Sequence, residues 1–316
     1  MLAAAAVIGA VVYRSATSGA APAEVVDRYL HALAAGDAST ALSLGAATPA
    51  SAAWLSDDVL KQQLQKLPIT DVRIDGETST PATRADRVYV KASAAFGGKR
   101  SEGLIEVVIS EHVWKLGSAF VNAHAGPGHR AAGSAFDTLD IFGKPLPDSA
   151  TAPMFPGAVS VSSSNPFFAV SQPAPIGLDR LQYGVQGSSL SPVFSINEVG
   201  KQALATAVTK WITACFTPGA PPEGPCIKID PTVRGMYVPG TARLTGPIDL
   251  GKWTYVFDQS LSVAFYSDGA SIPFTAQRTA DGVTEPLEYR GFTTPVDISK
   301  NPPVVVAPPA VSAPPR

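Results

Sequence analysis

Proline and glycine punctuate this chain from end to end, 29 of the one and 27 of the other in 316 residues. Each proline removes a backbone donor and each glycine loosens the backbone, so long helices give way to short strands, turns and irregular ends. That excludes a long helical bundle, but it does not exclude a packed core. Hydrophobic residues make up 45% and charged residues 16%, a balance far from that of a disordered chain. The length corresponds to about two domains. A net charge of −2 leaves no basic footprint for nucleic acid. Two cysteines and four histidines are scant material for a zinc or iron–sulfur centre, and no metal or other cofactor is expected.

Residues 2–13 (LAAAAVIGAVVY) are uncharged and mostly apolar, ended by Arg14. A bilayer-spanning helix needs ~20 such residues, and a signal peptide needs a basic start that Met1-Leu2 does not supply. The expectation is therefore the end of a membrane anchor over residues 1–14 whose beginning lies upstream, followed by a tether over 15–21. A cleaved export signal is the alternative, and both put the remainder on the extracytoplasmic side. The cysteines agree with export. Cys215 and Cys226 bracket FTPGAPPEGP, and a bridge closing that loop restricts the unfolded chain by roughly 3 kcal/mol. Two cysteines are too few for a closed metal site, and their spacing is not that of a redox pair. A structural disulfide persists in an oxidising compartment.

From Pro22 the pattern is helical. Val25, Val26, Tyr29, Leu30 and Leu33 form one stripe, Gly36-Asp37 stops it, and a second helix runs over 38–44. Ser56 before DDVLKQQLQKL predicts a capped third helix ended by Pro68. The period then changes to two: a strand over 71–76, a longer one over 86–96, a Gly97-Gly98 turn, a return over 99–109, and one more over 113–121. Helices first and an antiparallel meander after them predict an α+β unit over 22–122.

The opening YLHALAAGDASTALSLG, with the meander closing on HVWKLGSAFV, resembles the nuclear-transport-factor-like (cystatin-like) cone fold. The likeness is nearest to versions in membrane-anchored envelope proteins of actinobacteria. It covers roughly residues 20–122 and implies helices packed on a curved antiparallel sheet. Such folds host isomerases, dehydratases and binding or assembly modules alike, so the resemblance does not choose a function.

Residues 123–134 (AHAGPGHRAAGS) are small and Gly-rich, and predict a linker. A second, disulfide-containing α+β domain is expected over 135–298. Its marker is a helix over 195–216, with Ser195 and Glu198 as a capping box and Ile196, Val199, Leu204, Val208, Trp211, Ile212 and Cys215 as its buried stripe. Strand-like text follows to Ile298, and the Pro-rich tail over 299–316 reads as a disordered extension.

No Gly-x-Ser-x-Gly elbow, phosphate loop or dinucleotide glycine pattern is present. Tyr29, Trp54 and Tyr89 are candidates to line a pocket, with His112 near its mouth. His31 reads as a surface residue, and His124 and His129 as solvated linker residues. The expectation is a membrane-tethered extracytoplasmic accessory or scaffold protein of the cell envelope, binding rather than converting. Its partner would be an envelope protein, a wall polymer or a lipid. A small-molecule or lipid carrier using the cone cavity is the first rival. An isomerase or dehydratase built on His112 is the second. Pairing of two copies through open sheet faces is a further expectation.

Overall fold

A computed structural model describes residues 20–78, 86–125, 134–146, 151–217, 235–238, 240–257 and 262–306. The apolar run of residues 2–13, His129 and Cys226 lie outside them. Two compact units are present. The first comprises residues 1–130, 139–162 and 171–193, and the second residues 131–138, 163–170 and 194–316.

The first unit opens with α1 (Pro22–Ala35), which has proline in its first turn and ends at Gly36 with φ 76°, a left-handed position that glycine takes without strain. Asp37 caps α2 (Ala38–Ser43) by accepting from the Thr40 N–H. Ser56 caps α3 (Asp57–Lys66), with Asp57 and Asp58 in its first turn and Lys66 in its last, the polarity that the helix dipole favours. Strands β1 (Ile69–Thr78), β2 (Arg87–Phe96), β3 (Lys99–Ser110) and β4 (Val113–Leu116) pair in that order as an antiparallel sheet. The β2–β3 hairpin turns at Gly97 and Gly98, both at positive φ, as the Gly-Gly pair predicts. Helix α1 packs on β1 and β2. Its Val26, Tyr29, Leu30 and Leu33 and the sheet residues Val90, Ala92, Ile105 and Val107 are almost wholly buried.

The rest of this unit comes from beyond the expected linker. Strand β5 (Val121–Ala125) is the centre of a three-stranded sheet, antiparallel to β8 (Thr151–Met154) and parallel to β11 (Ser188–Leu190). Residues 123–125 therefore belong to a strand and not to a tether. Ala-His-Ala carries too little apolar contrast to show a period of two. Strands β6 (Leu139–Ile141) and β7 (Lys144–Pro145) form a small hairpin, joined in one sheet by β9 (Val161–Ser163). A 3-10 helix over Leu178–Gln186 lies on β3. There the Leu178 N–H donates to Ser101 Oγ at 2.9 Å, and a Cβ on Gly103 would sit 2.6 Å from the Leu178 carbonyl. Glycine is what permits that approach.

In the second unit β10 (Phe168–Val170) pairs with β12 (Phe194–Ile196), ahead of α4 (Glu198–Cys215). A three-stranded sheet holds β13 (Arg243–Leu244), β16 (Ile272–Gln277) and β17 (Thr284–Tyr289). A four-stranded sheet holds β14 (Lys252–Phe257), β15 (Ser262–Asp268), β18 (Phe292–Asp297) and β19 (Val304–Val305) in that order. The last strand falls where the Pro-rich tail was expected to be disordered, and its two residues pair with Val296 and Asp297. Helix α4 starts three residues later than the sequence suggested. Asn197 caps it by accepting from the Gly200 N–H at 2.8 Å, while Ser195 is an exposed strand residue. Its buried stripe is Gly200, Leu204, Val208 and Ile212, and Val199 points outward.

The expected fold class is therefore corrected. Among the described residues the protein is mostly β, 42% strand against 24% helix, with four α-helices and several small sheets, and the helix-on-sheet cone is not shown. The error has a physical source. Helical periods were visible in sequence, whereas two- and three-residue strands paired over long separations leave no period to count. The expected Cys215–Cys226 bridge is not itself described, since Cys226 lies outside the described residues, but Cys215 is disulfide-bonded, and there is no free cysteine among the described residues. They hold a single cysteine, Cys215 at the end of α4. No described helix is long and apolar enough to cross a membrane, and the apolar run that suggested the single-pass reading lies outside the described residues.

Candidate functional site

Strands β14, β15 and β18 alternate cleanly. Inward lie Trp253, Tyr255 and Phe257, then Val263, Phe265 and Ser267, then Phe292, Thr294 and Val296. Their aromatic rings stack across the strands: Trp253 on Phe265 with centroids 4.9 Å apart, Phe265 on Phe292 at 6.1 Å, and Phe292 against Trp211 of α4 at 6.2 Å. Phe257 stacks on Phe168 of β10 at 5.1 Å. Contacts of this kind hold the sheet rigid from within, which fixes what its other face presents.

That outer face holds an open concavity of about 610 Å³. The register sets its lining. Lys252 stands opposite Asp268, Thr254 opposite Tyr266, and Tyr266 opposite Thr293. Lys252, Thr254, Asp268 and Thr293 are exposed, and Tyr266 keeps 41% of its surface open. Glycines shape the rim. Gly291 at φ 66° turns the chain into β18, and a Cβ on Gly251 would meet the Asp268 carbonyl at 2.7 Å. Ser267 and Phe292 complete the lining, so the result is two aromatic rings, Tyr266 and Phe292, among hydroxyls, with one cation and one anion side by side. Such a face binds by shape, stacking and hydrogen bonds.

The residues nominated from sequence sit elsewhere, and not together. Tyr29 is fully buried, its hydroxyl donates to the Ala119 carbonyl at 2.8 Å, and burial drives its phenol pKa far upward. Trp54 is buried and donates from Nε1 to the Ile141 carbonyl at 3.0 Å. Tyr89 lies on β2, half-buried, with its hydroxyl donating to Glu106 Oε1 at 3.5 Å. Arg87 reaches the same oxygen at 2.5 Å, and the Tyr89 hydroxyl, then the Glu106 charge, raise the guanidinium pKa. His112 is exposed in the β3–β4 turn at φ 68°. No hydrogen bond, ion pair or ring contact joins any two of these four among the described residues.

Of the other histidines, His31 is exposed, with its Nδ1 2.9 Å from the Asp27 carbonyl. His124 is in β5, where Nδ1 and Thr151 Oγ1 lie 2.9 Å apart across the β5–β8 pair, so it is a structural residue and not a solvated one. Among the described residues no group of three or more His, Cys, Asp or Glu side chains is arranged to hold a metal ion.

Sequence reading missed the β14–β15–β18 face because its strands carry large apolar residues at both parities. Val256 and Tyr266 point outward while Trp253, Tyr255 and Phe265 point inward, so alternation is masked. The one available signal was the polar series Lys252, Thr254, Asp268 and Thr293 at matching parity. Comparison with family models, with curated proteins and with solved structures finds no match for this chain.

Proposed function

We propose that this protein is an accessory binding protein that holds a hydroxyl-rich polymer, of the kind found in cell walls, across the outer face of β14, β15 and β18. The observation that carries the reading is Tyr266, whose ring stays 41% exposed in a concavity that it lines together with Phe292, Gly291, the hydroxyls of Thr254, Ser267 and Thr293, Lys252 and Asp268. A sugar offers an apolar face of C–H groups and a rim of hydroxyls. The first matches an exposed ring, and the second matches short polar side chains on a rigid sheet. Enclosed pockets surround a small ligand on most sides, whereas this concavity is open and lets a chain pass through. Export, which the apolar run of residues 2–13 suggests, would bring the face to such polymers. The carrier reading gains nothing from Tyr29 and Trp54, whose polar atoms are committed to backbone carbonyls.

Titration calorimetry with soluble peptidoglycan fragments tests this. Saturable binding is expected, and Tyr266→Ala should weaken it about tenfold, ~1.4 kcal/mol, with the melting temperature unchanged. Absence of binding, or equal binding by the variant, overturns the assignment.

A further inference from the structure

Sheet edges expose unpaired N–H and C=O groups, and folded proteins blunt them with bulges, prolines, charges or short length. Among the described residues, two of the three long edge strands follow that rule. In β1 the register slips twice, and Asp71 and Gly76 take positive φ. In β17, Pro286 removes a donor between Glu285 and Glu288. The third, β14, is the least guarded of them. It pairs with β15 through six residues in unbroken register, contains no proline, and carries one charge, Lys252, at its first position. Among the described residues its one strand neighbour is β15. In an antiparallel pair every second residue turns its N–H and C=O away from the partner, so β14 offers a row of such groups with a single charge at one end.

We propose that β14 takes β14 of a second copy of this chain, the two strands running antiparallel about a two-fold axis through Thr254. The sequence KWTYVF fits itself in that register. Trp253 lies beside the partner's Tyr255 on the inner side, and Lys252 lies beside the partner's Val256 on the outer side. Thr254 meets its own copy at the axis. No like charges face each other, because the two lysines stand at opposite ends of the joint, four residues or roughly 14 Å apart along the strand. The pairing covers Val256, which is 57% exposed in one copy, and it joins the two outer faces into one continuous surface. An isologous contact of this kind closes as a dimer and does not propagate.

The association state of the full chain tests this without any ligand. Analytical ultracentrifugation over a concentration series should show a monomer–dimer equilibrium. Thr254→Lys sets two ammonium groups against each other at the axis and should weaken association tenfold or more. Thr293→Lys, on the same exposed face but off the axis, should leave it unchanged. In oxidised glutathione, Thr254→Cys should yield a covalent dimer, since directly opposed residues have Cβ atoms about 4.5–5.5 Å apart. Thr293→Cys should not. Circular dichroism checks that each variant is folded. A chain that stays monomeric throughout overturns the proposal, and so does a dimer indifferent to both Thr254 variants. Capture by the monomer of an added extended peptide along β14 would show that the edge serves a different occupant, which equally overturns it.

Discussion

At the scale of single residues the clearest case is Tyr29, an aromatic that sequence reading offered as a pocket wall. Its ring is fully buried on α1 and its hydroxyl is spent on the Ala119 carbonyl. Burial penalises the phenolate, so the folded pKa lies above the unfolded value near 10. A group raised in the folded state stabilises fully below its unfolded pKa, and that contribution falls as pH climbs past it. Stability should therefore drop above pH ~10 by up to ~1.4 kcal/mol per pH unit from this group. Tyr29→Phe should cost about 1 kcal/mol at neutral pH, through the lost hydrogen bond, and should flatten the alkaline slope. Urea denaturation of both proteins at several alkaline pH values checks this. Equal slopes would show that the phenol is not buried in solution. Asp37 acts at the other end of the scale. Thr40, through its side chain first and its N–H second, lowers the Asp37 pKa, so that its contribution is lost as pH falls through the folded value.

At the scale of elements, the start of α4 separates two readings of one tetrapeptide. Ser195-Ile-Asn-Glu198 matches a capping box, yet Phe194–Ile196 is committed to β12 opposite Phe168–Val170. The strand claims Ser195, and the cap passes to Asn197. That side chain also donates to the carbonyls of Pro166 at 2.9 Å and Phe168 at 3.3 Å, tying the helix start to β10. Asn197→Ala should cost about 1 kcal/mol. Ser195→Ala should fall within about 0.5 kcal/mol of the parent. Denaturation midpoints of the pair decide between the caps, and the reverse ranking would restore Ser195. Elsewhere the local signals were sufficient: Ser56 caps α3 and Gly97-Gly98 turns the β2–β3 hairpin. In each case the deciding interactions lie within four residues of one another.

At the scale of the molecule, the first unit is not a contiguous stretch. Trp54 bonds the Ile141 carbonyl, and Gln63 Nε2 bonds the carbonyls of Phe155 and Ala158 at 3.1 and 2.9 Å. Lys66 reaches Ser160 Oγ at 2.9 Å. β5 takes both its neighbours from beyond residue 150. A chain ended at residue 122, the boundary suggested by the Gly-rich stretch after it, removes all of these partners and uncovers Trp54, Phe120 and Val121, all buried in the whole. Such a fragment should lose cooperative thermal unfolding and should bind a dye that reports exposed apolar surface. A sharp transition matching that of the full chain would show that residues 139–162 and 171–193 are dispensable to the unit.

What the sequence by itself determined is the set of features written in neighbouring residues: three helices, with the stop at Gly36 and the Ser56 cap, the Gly-Gly hairpin and the long strands beside it, and the bar that proline and glycine set against a bundle. These rest on hydrogen bonds and side-chain periods that close within a turn or two. Only the tertiary structure decided which short strands pair, that residues 139–162 and 171–193 complete the first unit, and which face of β14, β15 and β18 stays open. A strand of two or three residues draws its hydrogen bonds from a partner far along the chain. The inward or outward sense of Tyr266 depends on what packs beneath the sheet. No local pattern encodes either of these, so the balance between helix and strand, and with it the location of the candidate site, emerged from packing.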